Sequence, residues 1–440
     1  MKLKNKSSFG NIYWERSKKL MPGGNMFLSK RPERFLPGKW PTYYKKSKGC
    51  YVYDLKNKKY VDMLMGIGTN ILGYSQPAVN RSVIKAVKNG TMSTLNSLEE
   101  QMLAKELIKM HKWAGLAKFA RTGGEANAIA IRIARAFNKK YKIAICGYHG
   151  WHDWYLSTNL NNEKNLNNHL LPGLKPEGVP KILKNSVFTF SYNNFEQLLN
   201  ITKKHNLSAI MMEVSRNYHP KNNFLKKIRK LASKKKIVLI FDECTSGFRQ
   251  TFGGLHKYFK VNPDIAIFGK SLGNGHPITA IIGRRKIMNS AQLSFISSTF
   301  WSEKVGYVAA LETLKQMKKY KSWKKITHTG NEIKKHWKFL SKKHNLNLKI
   351  IGIAAICSFD FESKYSRQYI TYITQEMLRN GYLANNSVYV CIMHNKNILK
   401  KYYFILDKCF KNIKKCENKK LKIKKLLKSP SNIQDFVRLN

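Results

Sequence analysis

The sequence predicts an α/β protein, with a large domain built on a seven-stranded, mostly parallel sheet and a smaller α+β domain. Two observations lead to this prediction. Between about residues 115 and 283, short apolar runs alternate with segments of helical periodicity, which is typical of parallel strands covered by helices on both faces. Beyond residue 314 this alternation gives way to a mixed pattern. We expect a large domain over 66–320 and a small domain over 321–440, with the segment 1–65 packing against the small domain.

The seven strands are predicted from apolar runs bounded by polar or glycine-containing segments. They are residues 116–120, 142–146, 187–190, 209–213, 238–241, 265–268 and 279–283. Helices between them are predicted at residues 125–137, 194–204 and 223–234. Because ligands of open α/β sheets bind at the carboxyl ends of the strands, polar residues that follow these strands are expected to share one site.

Composition limits the classes of protein to which this chain can belong. It has no run of about 18 apolar residues, so no membrane-spanning helix or membrane partner is expected. The charged first six residues lack the apolar core of a signal peptide. The seven cysteines form no CxxC pair, which favours a reducing compartment and argues against a zinc site. We therefore expect a cytoplasmic protein.

The formal net charge of +56 raises the alternative of a protein that binds polyanions. The basic residues are mostly lysines, spread through the chain beside abundant Asn and Ile, as A+T-rich coding would produce. Lysine lacks the planar donor group with which arginine binds phosphate through two hydrogen bonds. Basic and aromatic residues are also not interleaved along the chain. We expect no specific nucleic-acid partner, and a non-catalytic polyanion-binding protein on the same fold is the least favoured alternative.

Two charged residues stand directly after predicted strands. Asp242 follows the apolar run 237–241, and Lys270 follows the run 265–269. A lysine forced against apolar groups loses affinity for its proton and becomes an amine nucleophile, so Lys270 is a candidate Schiff-base lysine. Taken alone, Asp242 could equally be a helix cap and Lys270 a solvated charge.

Three other strand ends carry polar or aromatic candidates. Thr122, Gly123 and Gly124 lie between a strand and a helix, where they form either a phosphate cup or an ordinary capped turn. Tyr148 follows the next strand and either stacks on a flat ligand ring or belongs to an aromatic surface loop. Glu213 ends the fourth strand and either contacts polar ligand atoms or pairs with a nearby lysine.

Placed together at one sheet edge, these groups match what pyridoxal 5′-phosphate (PLP) requires. That cofactor needs a phosphate site, a partner that stacks on its ring, an acid that keeps the pyridine nitrogen protonated, and a lysine that binds its aldehyde. The nearby pair His149 and His152 lacks a third ligand, so no metal site is expected. PLP is therefore the predicted cofactor.

The same motifs resemble the class III (subgroup II) aminotransferases of PLP fold type I, in particular the branch similar to glutamate-1-semialdehyde 2,1-aminomutase. The resemblance covers almost the whole chain, through residues 22–24, 122–126, 148–150, 242–248, 263–264, 269–270 and 273–275. It implies a seven-stranded central sheet and a homodimer whose active site lies at the subunit interface.

The resemblance also implies a role for each candidate residue. Lys270 would bind the cofactor and move a proton during the reaction, and Asp242 would pair with the pyridine nitrogen. Tyr148 and Cys244 would lie against opposite faces of the ring, and Thr299 would reach the phosphate bound by the partner subunit. The full expected cofactor-binding set is Thr122, Gly123, Gly124, Tyr148, Glu213, Asp242, Cys244, Lys270 and Thr299.

The chain departs from the family pattern at three places. Arg121 replaces a small polar residue before the glycine turn, and residues 25–31 replace a Ser-Pro-Val-Arg segment that the aminomutase carries. Trp301-Ser302-Glu303 replaces the usual Gly-Asn-Pro. The segment 297–314 is similar to a sub-branch of aminotransferases that act on sugar or surface-polysaccharide precursors.

We therefore expect a PLP-dependent aminotransferase that moves an amino group from a small-molecule donor to a keto or aldehyde acceptor. The acceptor suggested by the sub-branch is a sugar or surface-polysaccharide precursor. The alternative within the same chemistry is glutamate-1-semialdehyde 2,1-aminomutase activity, in which the amino group moves within one substrate and no external donor is needed.

Overall fold

The computed structural model of the chain describes residues 9–169 and 172–433, so the charged first six residues lie outside the described part. The chain divides into two compact units. One unit runs from Pro77 to Lys324, and the other combines the chain up to Gln76 with the chain from Lys325 onward.

The strands, in chain order, are β1 Tyr44–Lys48, β2 Tyr51–Asp54, β3 Lys59–Asp62, β4 Leu116–Ala120, β5 Lys142–Cys146, β6 Val187–Thr189, β7 Leu207–Met212, β8 Val238–Glu243, β9 Ile265–Phe268, β10 Thr279–Gly283, β11 Leu348–Ile351, β12 Ile356–Phe361, β13 Tyr382–Leu383 and β14 Ser387–Tyr389. The longer helices are Phe9–Leu20, Pro77–Lys88, Leu98–Met110, Gly123–Asn138, Phe195–Lys204, Phe224–Lys234, Lys304–Tyr320, Ser322–Lys343, Ser366–Arg379 and Lys396–Glu417. Single-turn helices lie at Asp153–Leu156, His256–Phe259, Arg285–Met288 and Ile423–Leu426.

A seven-stranded sheet with the order β4-β10-β9-β8-β7-β5-β6 forms the centre of the Pro77–Lys324 unit. Its neighbouring strands pair in parallel, except that β10 is antiparallel to both β4 and β9. The predicted seven-stranded, mostly parallel sheet is therefore confirmed, and each predicted run coincides with one of its strands.

Burial explains why these runs form the sheet. Every residue of β7, β8, β9 and β10 is buried, as expected for strands that are covered on both faces. The helix Gly123–Asn138 packs its small and branched residues, including Ala130, Ile133 and Ala134, into the same core. Because β4, β5, β7, β8 and β9 run in one direction, the residues that follow them share one edge of the sheet.

The other unit contains two smaller sheets. One has the strand order β1-β2-β3-β13, in which β13 is parallel to β3, and the other is an antiparallel sheet of order β11-β12-β14. Its helices include Ser366–Arg379 and Lys396–Glu417. The predicted α+β domain formed by both ends of the chain is confirmed. Among the residues described here, no helix is long and apolar enough to cross a membrane.

Candidate active site

The carboxyl edge of the seven-stranded sheet gathers the side chains singled out from the sequence. Tyr148 follows β5, Glu213 follows β7, Asp242 is the next-to-last residue of β8, and Lys270 follows β9. The glycine turn, Thr122-Gly123-Gly124, follows β4. Parallel neighbours thus bring groups from distant parts of the chain to one place.

Asp242 is almost fully buried, at 4% exposure, and has three hydrogen-bond donors. Its Oδ2 accepts hydrogen bonds from His149 Nδ1 at 2.8 Å and from Asn127 Nδ2 at 2.9 Å. Its Oδ1 accepts one from the Cys244 amide at 3.1 Å. Burial alone would raise the pKa of Asp242, but these donors and the charge of His149 outweigh it and hold the pKa below its usual value. Asp242 is therefore a buried, ionised carboxylate.

Lys270 opens a short 3-10 turn, Lys270–Gly273, with a left-handed φ of 35°. A residue without glycine's freedom is strained in this region, and such strain is common at functional sites. The Lys270 Nζ atom donates a hydrogen bond to Thr245 Oγ1 at 2.8 Å. Its pKa is lowered, first by burial and second by the positive charge of Arg216, so the amine holds a proton less tightly than an exposed lysine does.

The glycine turn begins the helix Gly123–Asn138, whose first amides have no partner within the helix. Thr122 is its N-cap and forms a capping box with Glu125. The Thr122 hydroxyl donates to Glu125 Oε2 at 3.0 Å, and the Thr122 amide donates to the same oxygen at 2.7 Å. Thr122 therefore shapes the turn, and the amides of Gly123 and Gly124 are the donors left for an anion.

Cys244 lies between the glycine turn and the 3-10 turn Lys270–Gly273, the lysine turn. A Cβ atom added to Gly123 would lie 3.3 Å from Cys244 Sγ, and one added to Gly269 would lie 3.2 Å from the same sulfur. The glycines on both turns therefore pack closely around one buried thiol, and this places the residue before Lys270 near the helix N-terminus.

Tyr148 and Glu213 lie on neighbouring strand ends. The Tyr148 ring is half-buried and packs edge-to-face against Tyr155, with the ring centres 5.9 Å apart. Glu213 is buried and lies 3.4 Å from Arg216, measured between Oε1 and Nη1. Gly147, with φ of 122°, leaves room for Glu213, because a Cβ there would lie 2.8 Å from Glu213 Oε2.

Thr299 differs from the other candidates because it lies on a separate, exposed 3-10 turn, Thr299–Ser302. Its carbonyl accepts a hydrogen bond from Ser302 Oγ at 2.9 Å. The turn contacts the end of β4 through Phe300 and Trp301, whose carbonyls accept hydrogen bonds from Arg121.

Three side chains of the site were not assigned a role from the sequence. They are Asn127, which holds Asp242, Thr245, which accepts from Lys270, and Arg216, which lies beside Glu213. His149, whose place after a strand end indicates a residue that orders its neighbours, also holds Asp242. Asn127 had a usable signal, because it is a polar residue at a helix position surrounded by buried apolar residues. In the described chain, no group of three His, Cys, Asp or Glu side chains has the arrangement of a metal site.

Known proteins resemble this chain over most of its length. Residues 37–408 match the family model described as aminotransferase class-III. The chain is 30% identical over 399 residues to 3-aminobutyryl-CoA aminotransferase of Cloacimonas acidaminovorans, covering 87% of this chain and 91% of the relative. It is also 30% identical over 364 residues to glutamate-1-semialdehyde 2,1-aminomutase of Methanobrevibacter smithii, covering 80% and 83% respectively.

Solved structures show the same fold. The FumI protein of Sphingopyxis sp. MTA144, solved with PLP, superposes with a TM-score of 0.83 at 21% identity and covers 95% of this chain and 99% of that one. A glutamate-1-semialdehyde aminomutase from Pseudomonas aeruginosa PAO1 superposes with a TM-score of 0.78 at 15% identity, covering 91% and 93%.

Proposed function

The chain belongs to the class III aminotransferase family, and on that premise we propose that it transfers an amino group between small molecules by using Lys270 at the carboxyl edge of its sheet. It is a PLP-dependent aminotransferase or aminomutase. The assignment of Asp242 and Lys270 to the site rests on one observation: the same sheet edge carries a buried, ionised Asp242 and a lysine whose pKa is lowered.

The residues at this edge fit PLP in chemistry and in order. A helix N-terminus with two glycine amides suits a phosphate dianion, and the ionised Asp242 suits a protonated pyridine nitrogen. Cys244 packs close to both Gly123 and Gly269, and this supports a cofactor site between the glycine turn and Lys270. PLP supplies the electron-withdrawing ring that stabilises negative charge on the substrate carbon.

Lys270 is proposed to hold the cofactor and then to move the proton. A neutral amine is needed for both tasks, and the lowered pKa of Lys270 makes that form easier to reach than for an exposed lysine. Thr245 accepts a hydrogen bond from the Lys270 amine and fixes its direction. Burial weakens proton uptake by this amine most, and the positive charge of Arg216 weakens it further.

Asp242 is proposed to hold the charge at the far end of the ring. His149 and Asn127 orient the carboxylate and keep it ionised, so that it would meet a protonated pyridine nitrogen without having to reorganise. Tyr148 and Cys244 are proposed to flank the ring, and Glu213 to contact polar atoms nearby. For Thr122 we propose a contribution through the shape of the glycine turn.

We propose a homodimer in which Thr299 reaches the partner subunit's phosphate. The support is an apolar surface near the start of the Pro77–Lys324 unit, where six apolar side chains on and between two helices are exposed: Ile84, Val87, Met92, Leu95, Leu98 and Met102. Exposed apolar side chains concentrated in one stretch of the chain favour an interface, and a second copy of the chain is its proposed occupant. A reducing, cytoplasmic location is proposed because all seven cysteines are free thiols.

The amino acceptor is proposed to be a small keto or aldehyde compound, with sugar or surface-polysaccharide precursors as the class to test first. The aminomutase alternative is supported by the 30% identity to the enzyme of Methanobrevibacter smithii. Incubation with glutamate-1-semialdehyde and no amino donor separates the two, because isomerisation under these conditions requires an aminomutase.

Borohydride reduction tests the role of Lys270. The purified protein should be yellow, and reduction should fix the cofactor to the peptide that contains Lys270. The variant K270A should lose this label, whereas the control variant K118A should keep it, since Lys118 is a half-buried lysine of the same sheet with a lowered pKa. Label on another lysine would contradict the assignment.

A further inference from the structure

We propose that Arg121 is a positioning residue that, together with Glu125 and Trp301, locks the glycine turn to the segment 299–303 and thereby sets the affinity for the cofactor phosphate. The proposal rests on the proposed function, in which the glycine turn binds that phosphate. Arg121 and Trp301-Ser302-Glu303 are two places where the sequence departs from the family pattern, and the structure brings them into direct contact.

The Arg121 guanidinium donates hydrogen bonds to four backbone carbonyls. Nε donates to Phe300 at 2.6 Å, Nη1 to Pro277 at 3.3 Å, and Nη2 to Trp301 at 3.3 Å and to Glu303. Pro277 ends the loop that follows the lysine turn, so one side chain connects three segments around the site. A planar fork with five donors suits this task, and a lysine ammonium does not.

Glu125 makes the second half of the lock. Its Oε2 accepts hydrogen bonds from the amides of Arg121 and Thr122, at 3.0 and 2.7 Å. Its Oε1 accepts one from Trp301 Nε1 at 3.1 Å. The carboxylate therefore joins the residues before the glycine turn to the indole of the opposite segment.

The helix Lys304–Tyr320 starts in a way that leaves space for the guanidinium. Glu303 caps this helix through Val305, whose amide donates to Glu303 Oε1 at 2.7 Å, and its other oxygen lies 3.5 Å from Arg121 Nη2. A Cβ atom added to Gly306 would lie only 2.2 Å from Arg121 Nη1. The Tyr307 ring centre lies 5.3 Å from the guanidinium carbon. Gly306 therefore leaves the space that the Arg121 guanidinium occupies.

The consequence for the cofactor follows from preorganisation. Backbone amides bind an anion tightly when their directions are fixed before binding, since no ordering is then needed. Arg121 and Glu125 fix the residues immediately before Gly123, and they fix the segment that carries Thr299. Without the lock, both must be ordered when the phosphate binds, so its dissociation constant rises.

Cofactor affinity tests this directly. We would titrate the apoproteins of wild type, R121M, R121K and W301F with PLP and follow protein fluorescence. R121M and W301F should bind PLP at least about tenfold more weakly, which corresponds to about 1.4 kcal/mol, and R121K should not restore the affinity. The matched control is R132M, because Arg132 donates a single hydrogen bond, to Phe295 at 2.8 Å, and lies outside the lock. It should bind PLP like the wild type.

The variant G306A tests the same lock without removing a hydrogen-bonding group. Alanine normally stabilises a helix relative to glycine, but its Cβ at position 306 would crowd both the guanidinium and the Pro277 carbonyl that accepts from it. Weaker PLP binding by G306A would therefore arise from disruption of this contact. This variant also carries the test if R121M fails to fold. Equal PLP dissociation constants for wild type and G306A, with only the melting temperature changed, would overturn the proposal. Failure of the wild-type apoprotein to bind PLP would instead overturn the proposed function.

Discussion

The contact between His149 and Asp242 permits a quantitative test of how the site is built. Both side chains are buried, with 0% and 5% of their surfaces exposed, and their atoms lie 2.8 Å apart. Removing one partner of a buried charged contact costs roughly 3–5 kcal/mol. Because Asn127 and the Cys244 amide would still donate to Asp242, we expect H149F to lose about 3 kcal/mol of unfolding free energy at neutral pH, near the lower end of that range.

The loss should depend on pH with a definite sign. In the wild type the pKa of Asp242 is lowered, so its ionised form contributes stability above the unfolded value of about 3.9, and this contribution disappears as the pH falls through the folded pKa. In H149F burial is opposed by fewer donors, and the pKa of Asp242 should rise. The stability difference between the two proteins should therefore grow as the pH rises above about 4.

Urea unfolding of the apoproteins at pH 5 and pH 8, followed by tryptophan fluorescence, measures both quantities. The control is Y155F, because Tyr155 donates one neutral hydrogen bond to the Gly147 carbonyl at 3.1 Å beside the same cluster. It should lose about 1 kcal/mol at both pH values. A loss for H149F that is equally small, or that does not change between pH 5 and pH 8, would refute the reasoning.

Two further predictions concern the glycine turn and acid stability. T122A should lower the unfolding free energy by about 1 kcal/mol through loss of the helix cap, and it should weaken PLP binding by less than the roughly tenfold expected for R121M, because the Thr122 amide keeps its own hydrogen bond to Glu125; a larger loss of PLP affinity would show that the Thr122 hydroxyl binds the phosphate itself. Burial lowers the pKa to about 4 in each of His111, His169 and His394. The free energy of unfolding should therefore fall between pH 6.5 and pH 4, by roughly 3 kcal/mol for each histidine at pH 4, because the unfolded chain binds protons that these buried side chains do not. A urea midpoint that stays constant over this range would contradict this prediction.

The sequence alone was sufficient for the architecture of the sheet. Each of the seven strands was predicted within a few residues, because an apolar run that must be buried on both faces leaves a local signal. The observed differences are confined to strand ends, such as β8, which extends through Glu243. Asp242 and Lys270 were selected as candidates for a related reason, since a charged residue is unusual directly after a run of buried apolar residues.

The tertiary structure decided which groups support them. His149 and Asn127 reach Asp242 from a loop and a helix that are distant in the chain, and Arg121 meets Trp301 across about 180 residues. Periodicity and spacing describe only near neighbours along the chain, so they carry no information about such pairs. The sequence by itself determined the fold and predicted Asp242 and Lys270 as the two ends of the proposed cofactor site. The packing of β4, β8 and the 299–303 segment decided which side chains contact Asp242 and the glycine turn, because hydrogen bonds between distant segments exist only once the sheet has formed.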